Sequence, residues 1–75
     1  MRRSPAELGA EVKAGNGTIT VLTDSETTAQ VYSANGQLVS SANVNGTHSF
    51  AVSSGAYIVK LTANGKSAFA KVAVK

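Results

Sequence analysis

Four Asn-Gly dipeptides punctuate this 75-residue chain: Asn16-Gly17, Asn35-Gly36, Asn45-Gly46 and Asn64-Gly65. Both residue types tolerate positive φ, which a type I′ turn demands at its two central positions, so Asn-Gly between alternating apolar runs signals a hairpin. Around these turns seven runs read as strands: Ala10 to Ala14, Thr18 to Thr23, Ala29 to Ala34, Gln37 to Ala42, Ser49 to Ser53, Ala56 to Ala63 and Ser67 to Val74. In several of them the period is two. Ile19 and Val21 share one face, Ala29 and Val31 another, and Tyr57, Val59 and Leu61 project together while Ile58, Lys60 and Thr62 point away. No window has the i, i+3, i+4 spacing of an amphipathic helix, and β-branched residues are spread throughout, so helix content near zero is expected. About seven short strands with closely spaced turns predict an all-β fold, an immunoglobulin-like antiparallel β-sandwich, here without the paired Cys and the Trp of antibody domains.

A chain this short makes one domain and buries only about 60% of the surface that its unfolded form exposes. With no cysteine, neither a disulfide nor a thiolate metal site supports it. Twelve of its apolar residues are alanine, which leaves nine Val, four Leu, two Ile, two Phe and two Tyr to build the core. Residues 1–9, with the only proline and no alternation, read as a disordered linker or an appended non-native segment, and residues 10–75 as the β-sandwich. Met1-Arg2-Arg3 has the charge of a signal-peptide start, but no apolar stretch follows before Glu7 and Glu11. No run approaches a membrane span, and no membrane insertion is expected.

The net charge of +3 is distributed unevenly. All four acids, Glu7, Glu11, Asp24 and Glu26, precede residue 27, while Lys60, Lys66, Lys71 and Lys75 stand unopposed after them. Dispersed lysines serve solubility and edge protection, and could also meet an anionic surface. Without clustered Arg or interleaved aromatics, nucleic acid is not expected as a partner.

Catalysis has little to work with. His48 is the only histidine, and none of the nine serines sits in a nucleophile signature, so no enzyme activity, catalytic residue or cofactor is expected. Asp24, Ser25 and Glu26 form a compact acidic turn, but two carboxylates outside a calcium-loop frame do not predict a metal site. Asn16-Gly17-Thr18 and Asn45-Gly46-Thr47 match the glycosylation acceptor pattern, yet each is explained as a turn followed by a β-branched residue. Tyr32, Tyr57, Phe50 and Phe69 are assigned to the core rather than to a sugar-stacking platform. A shift of 29 residues lays Asn16-Gly17-Thr18 on Asn45-Gly46-Thr47 and Ala34-Asn35-Gly36 on Ala63-Asn64-Gly65. Duplication of a unit and repeated use of one turn chemistry both explain this match.

From Val31 to Lys75 a more specific pattern emerges. It comprises Val31-Tyr32-Ser33-Ala34-Asn35-Gly36-Gln37-Leu38-Val39, then Ser54-Gly55-Ala56-Tyr57-Ile58-Val59-Lys60-Leu61, then Asn64-Gly65-Lys66 and finally Lys71-Val72-Ala73-Val74-Lys75. These stretches resemble the hairpin, the "S-G-x-Y-I-V-K" strand and the last basic-apolar strand of the C-terminal sorting domain of the type IX secretion system of Bacteroidetes. The opening Asn16-Gly17-Thr18-Ile19-Thr20-Val21 also resembles related C-terminal domains of unknown function in Bacteroides proteins.

The resemblance implies a sorting signal preceded by a passenger and recognised by the outer-membrane type IX translocation machinery. A sortase would then remove it and attach the passenger to anionic lipopolysaccharide. It implies an exported protein, periplasmic in transit and then at the cell surface or extracellular. Recognition would lie in the terminal hairpin, with Gly55, Tyr57, Lys60, Gly65, Lys66, Lys71, Val72, Val74 and Lys75 as the candidate residues. Gly55 and Tyr57 also read as a turn and a core ring, and both roles can hold together. The alternative function is an immunoglobulin-like surface module that binds carbohydrate or protein, which an exposed aromatic pair on one sheet would favour.

Overall fold

The computed structural model describes residues 10–75; the expected linker at 1–9 lies outside the described residues. Seven strands follow in order: β1 (Ala10–Ala14), β2 (Thr18–Thr23), β3 (Thr27–Ser33), β4 (Leu38–Val44), β5 (Thr47–Ala51), β6 (Gly55–Ala63) and β7 (Lys66–Val74). They form two antiparallel sheets, ordered β1-β2-β5 and β4-β3-β6-β7, packed as a sandwich. β4 pairs with β3, whereas in the constant-type immunoglobulin sandwich the fourth strand pairs with the fifth.

The alternation read from the sequence sets what each sheet buries. Ile19 and Val21 from the small sheet meet Ala29, Val31, Val59 and Leu61 from the large one, all fully buried. Val44, Phe50, Tyr57 and Val74 close the ends of this core. Among the described residues no buried side-chain nitrogen or oxygen lacks a hydrogen-bond partner. Thr27 is the buried polar residue among those described, and its Oγ1 donates to the Ser25 carbonyl at 3.0 Å.

The four Asn-Gly pairs differ from one another. Asn64-Gly65 alone makes the expected two-residue turn with both central φ positive (53° and 76°), directly between paired Ala63 and Lys66. Asn35-Gly36 belongs to a three-residue loop in which Gly36 alone has positive φ. Its N–H donates to the Ser33 carbonyl at 2.9 Å, and the Ser33 N–H donates to the Gln37 carbonyl at 2.8 Å. That is the arrangement of a type I turn closed by a glycine bulge.

Asn45-Gly46 makes no hairpin. It carries the chain from β4 in one sheet to β5 in the other, and Thr23 holds it: the Thr23 N–H donates to the Gly46 carbonyl at 2.7 Å, and the Gly46 N–H donates to Thr23 Oγ1 at 3.2 Å. Because β4 pairs with β3 and β5 pairs with β2 in the other sheet, the same dipeptide serves a corner. β5 accordingly runs from Thr47, opposite Leu22, rather than from Ser49.

The 29-residue shift carries β2 onto β5 with faces preserved, Ile19 and Val21 falling on His48 and Phe50. It carries the inward Ala29 and Val31 of β3 onto the outward Ile58 and Lys60 of β6. A one-residue slip therefore separates the sequence match from the faces.

Candidate functional site

The terminal hairpin begins at Gly55, whose φ of 150° disfavours any other residue, although a Cβ there would meet Tyr57 only at 3.8 Å. The backbone, not the space, requires glycine. Two residues on, Tyr57 turns inward, and its hydroxyl donates to the Ser53 carbonyl at 2.7 Å. A tyrosine near the start of the sixth strand bonded back to the preceding corner is the tyrosine corner of immunoglobulin-like sandwiches. It fixes the angle at which β6 enters the sheet.

From that anchor the strand parity divides the candidate residues. Tyr57 and Val74 are buried and Val72 is half-buried; Tyr57 pairs with Val72, and Gly55 with Val74. These hold the hairpin to the core. Lys60 and Lys71 project from the outer face of the large sheet, opposite Phe69 and Ile58 respectively. Diagonal neighbours of this kind sit about 7–8 Å apart. Lys60 Nζ lies 6.0 Å from the centroid of the Phe69 ring, at the outer limit of a cation–π contact. Gly65 and Lys66 form the exposed tip, and Lys75 is exposed at the opposite end.

The last residue is also tied down. The Gly17 N–H donates to the Lys75 carbonyl at 2.9 Å while the Gly17 carbonyl accepts from the Val52 N–H at 3.0 Å, so the β1–β2 turn joins the end of the chain to the end of β5.

Phe69 and Tyr32 correct the core assignment. Phe50 and Tyr57 are buried, but Phe69 is 43% exposed and Tyr32 half-buried on the outer face. The reason is parity: Phe69 shares its face with Lys71, and Tyr32 shares its face with Gln30 and Thr28. A cross-strand row Leu38, Tyr32, Ile58, Lys71 results, with Lys60 and Phe69 in the row above. This face carries no acid: of the described acids, Glu11 lies on β1, and Asp24 and Glu26 lie in the β2–β3 connection. The sequence signal for Phe69 was present in the alternation of Ser67, Phe69 and Lys71, but hydrophobicity outweighed it.

Elsewhere the chemistry is sparse. His48 is exposed on β5, its ring edge-on to Phe50 with centroids 4.7 Å apart. Asp24 lines one depression together with Glu11, and Glu26 lines another together with Asn43 and Thr62, so the two carboxylates do not converge. Among the described residues no three His, Cys, Asp or Glu side chains group as metal ligands.

The family model described as the secretion system C-terminal sorting domain matches residues 15–75. The chain belongs to that family. As a type IX sorting domain it is a C-terminal signal for export toward the cell surface or the extracellular space, and this is not an enzyme family. No curated protein matches the chain. The match includes every candidate residue of the hairpin from Gly55 to Lys75. It begins at Gly15, so the β1–β2 turn that holds Lys75 also lies inside the sorting domain.

Proposed function

We propose that the outer-membrane type IX machinery reads this sorting domain as a folded surface, at the outer face of the terminal hairpin and its two ends. Lys60, Lys71, Lys66 and Lys75 make the contacts. Gly55, Tyr57, Gly65, Val72 and Val74 hold those lysines in place from within the fold. The observation that carries this reading is that Lys60 and Lys71 share one face that bears none of the described acids. A sortase then removes the sorting domain and joins the passenger to anionic lipopolysaccharide after transit through the periplasm. Neither step requires chemistry of the domain itself.

A carbohydrate-binding platform has weaker support. Tyr32 and Phe69 share the outer face, but β6, with Ile58 and Lys60, stands between their strands.

The test fuses residues 10–75 to an inert reporter in a type IX-competent bacterium and follows export and trimming. Removing Lys71 to Lys75 also strips Val72 and Val74 from the packing, so the sharper variant is Lys60→Glu with Lys71→Glu, which leaves the core untouched. Export is expected to fail for this folded double variant. Normal export of the variant would refute recognition through this face, and an unmodified fusion that stays periplasmic and untrimmed would refute the sorting role.

A further inference from the structure

Each of the four Asn-Gly dipeptides is a place where the chain can react with itself. The asparagine side-chain carbonyl carbon can be attacked by the nitrogen of the next residue, and a glycine there, with no Cβ, leaves the approach open. Asparagine is for this reason among the thermolabile residues. Exposure does not separate the four sites, since Asn16, Asn35, Asn45 and Asn64 all face solvent. Neither does space: a Cβ on Gly36, Gly46 or Gly65 would meet nothing within 4 Å, and one on Gly17 only the Val52 carbonyl oxygen at 3.8 Å.

The glycine nitrogens do separate them. The Gly17 N–H donates to the Lys75 carbonyl at 2.9 Å, the Gly36 N–H to the Ser33 carbonyl at 2.9 Å and the Gly46 N–H to Thr23 Oγ1 at 3.2 Å. A hydrogen-bonded amide holds its proton, so that bond must open before the nitrogen can attack. The Ser33 hydroxyl also holds the side-chain oxygen of Asn35. The Gly65 N–H has no acceptor among the described residues, because the hairpin closes through Ala63 and Lys66 and leaves the two central residues outside the ladder. Asn64 moreover holds a φ of 53°, a left-handed conformation that asparagine tolerates at a cost and gives up when the turn opens.

We propose that Asn64 is a site of spontaneous deamidation in the folded domain and reacts ahead of the other three asparagines. The Gly65 nitrogen, giving its proton to solvent base, bonds to Asn64 Cγ. The Cγ–Nδ2 bond breaks, and Nδ2 takes up a proton from water and leaves as ammonia. Water then opens the cyclic imide at either of its carbonyls, which yields aspartate or isoaspartate. A water is consumed and an ammonia released, with no oxidant or reductant. Either product places a carboxylate next but one to Lys66, in a hairpin from Gly55 to Lys75 that contains no acid. Isoaspartate also lengthens the main chain of a two-residue turn, which disturbs the pairing of Ala63 with Lys66. This inference stands apart from recognition of the outer face of β6 and β7.

The test incubates the full chain at mildly alkaline pH and follows each Asn-Gly pair by peptide mass spectrometry, with a parallel sample unfolded in guanidinium chloride. In the folded sample Asn64 should convert about fivefold faster than Asn16, Asn35 or Asn45, or more, the factor that protection by one net hydrogen bond supplies. In guanidinium chloride the four rates should converge, because the dipeptide is the same and the tertiary bonds are gone. Thr23→Val, which removes the acceptor of the Gly46 N–H, should raise the rate at Asn45 alone toward that of Asn64. The proposal is overturned by equal rates at the four sites in the folded sample, by faster conversion at any of the other three, or by an Asn64 rate far below its rate in guanidinium chloride. A folded Thr23→Val variant with Asn45 unmoved would also overturn it. If that variant unfolds, all four rates rise together and the unmodified chain still decides.

Discussion

Replacing Tyr57 by phenylalanine removes one oxygen and leaves the packing of the ring in place, so it isolates the corner hydrogen bond. The ring is 9% exposed, and its hydroxyl donates to the Ser53 carbonyl at 2.7 Å. Ser53 is exposed, so water can take over that carbonyl when the hydroxyl is gone. The loss is then the net value of one hydrogen bond, about 0.5–1.5 kcal/mol, rather than the larger penalty of an orphaned buried group. At about 0.05–0.15 kcal/mol per residue, the folded part has a total stability of only about 3–10 kcal/mol. In a domain of this size each kcal/mol moves the thermal midpoint by about 4–8 °C. Tyr57→Phe should therefore lower the midpoint by several degrees in calorimetry and shift the urea midpoint with unchanged slope. The control is Tyr32→Phe, because the Tyr32 hydroxyl has no hydrogen-bond partner among the described residues and should lose nothing. Equal midpoints for the two variants would falsify the assignment of Tyr57 as the anchor of β6.

Three further outcomes follow from burial and backbone geometry. Leu61→Ala, at a fully buried site in mid-β6, should cost about 2–5 kcal/mol and leave much of the population unfolded by circular dichroism at ambient temperature. Phe69→Ala should cost about 1 kcal/mol or less, against about 3–5 for Phe50→Ala, because only the second ring is in the core; equal losses in urea melts would contradict the outward placement of Phe69. Gly65→Ala meets no atom within 4 Å but must hold a φ of 76°, so it should lose about 1–2 kcal/mol from backbone strain alone, measured by the same melts.

Composition, turn chemistry and period-two alternation determined that this chain makes an all-β sandwich. They also determined that Ile19, Val21, Val31, Val59 and Leu61 face inward, because alternation is a property of the extended backbone and needs no partner. The same parity placed Lys60 and Lys71 on one face, and the residue pattern from Val31 to Lys75 carried the family.

Other features depended on which strands pair, which local sequence does not encode. Asn45-Gly46 has the composition of a hairpin turn and became a corner because β4 took β3 as its neighbour. Phe69, by contrast, was legible locally: it alternates with Ser67 and Lys71, and only its hydrophobicity argued for the core. The tie from Gly17 to Lys75 joins segments distant along the chain, and the open edge of β5 depends on what lies beside it. Tertiary pairing alone could decide them, since an edge exists only once every other strand has found its neighbour.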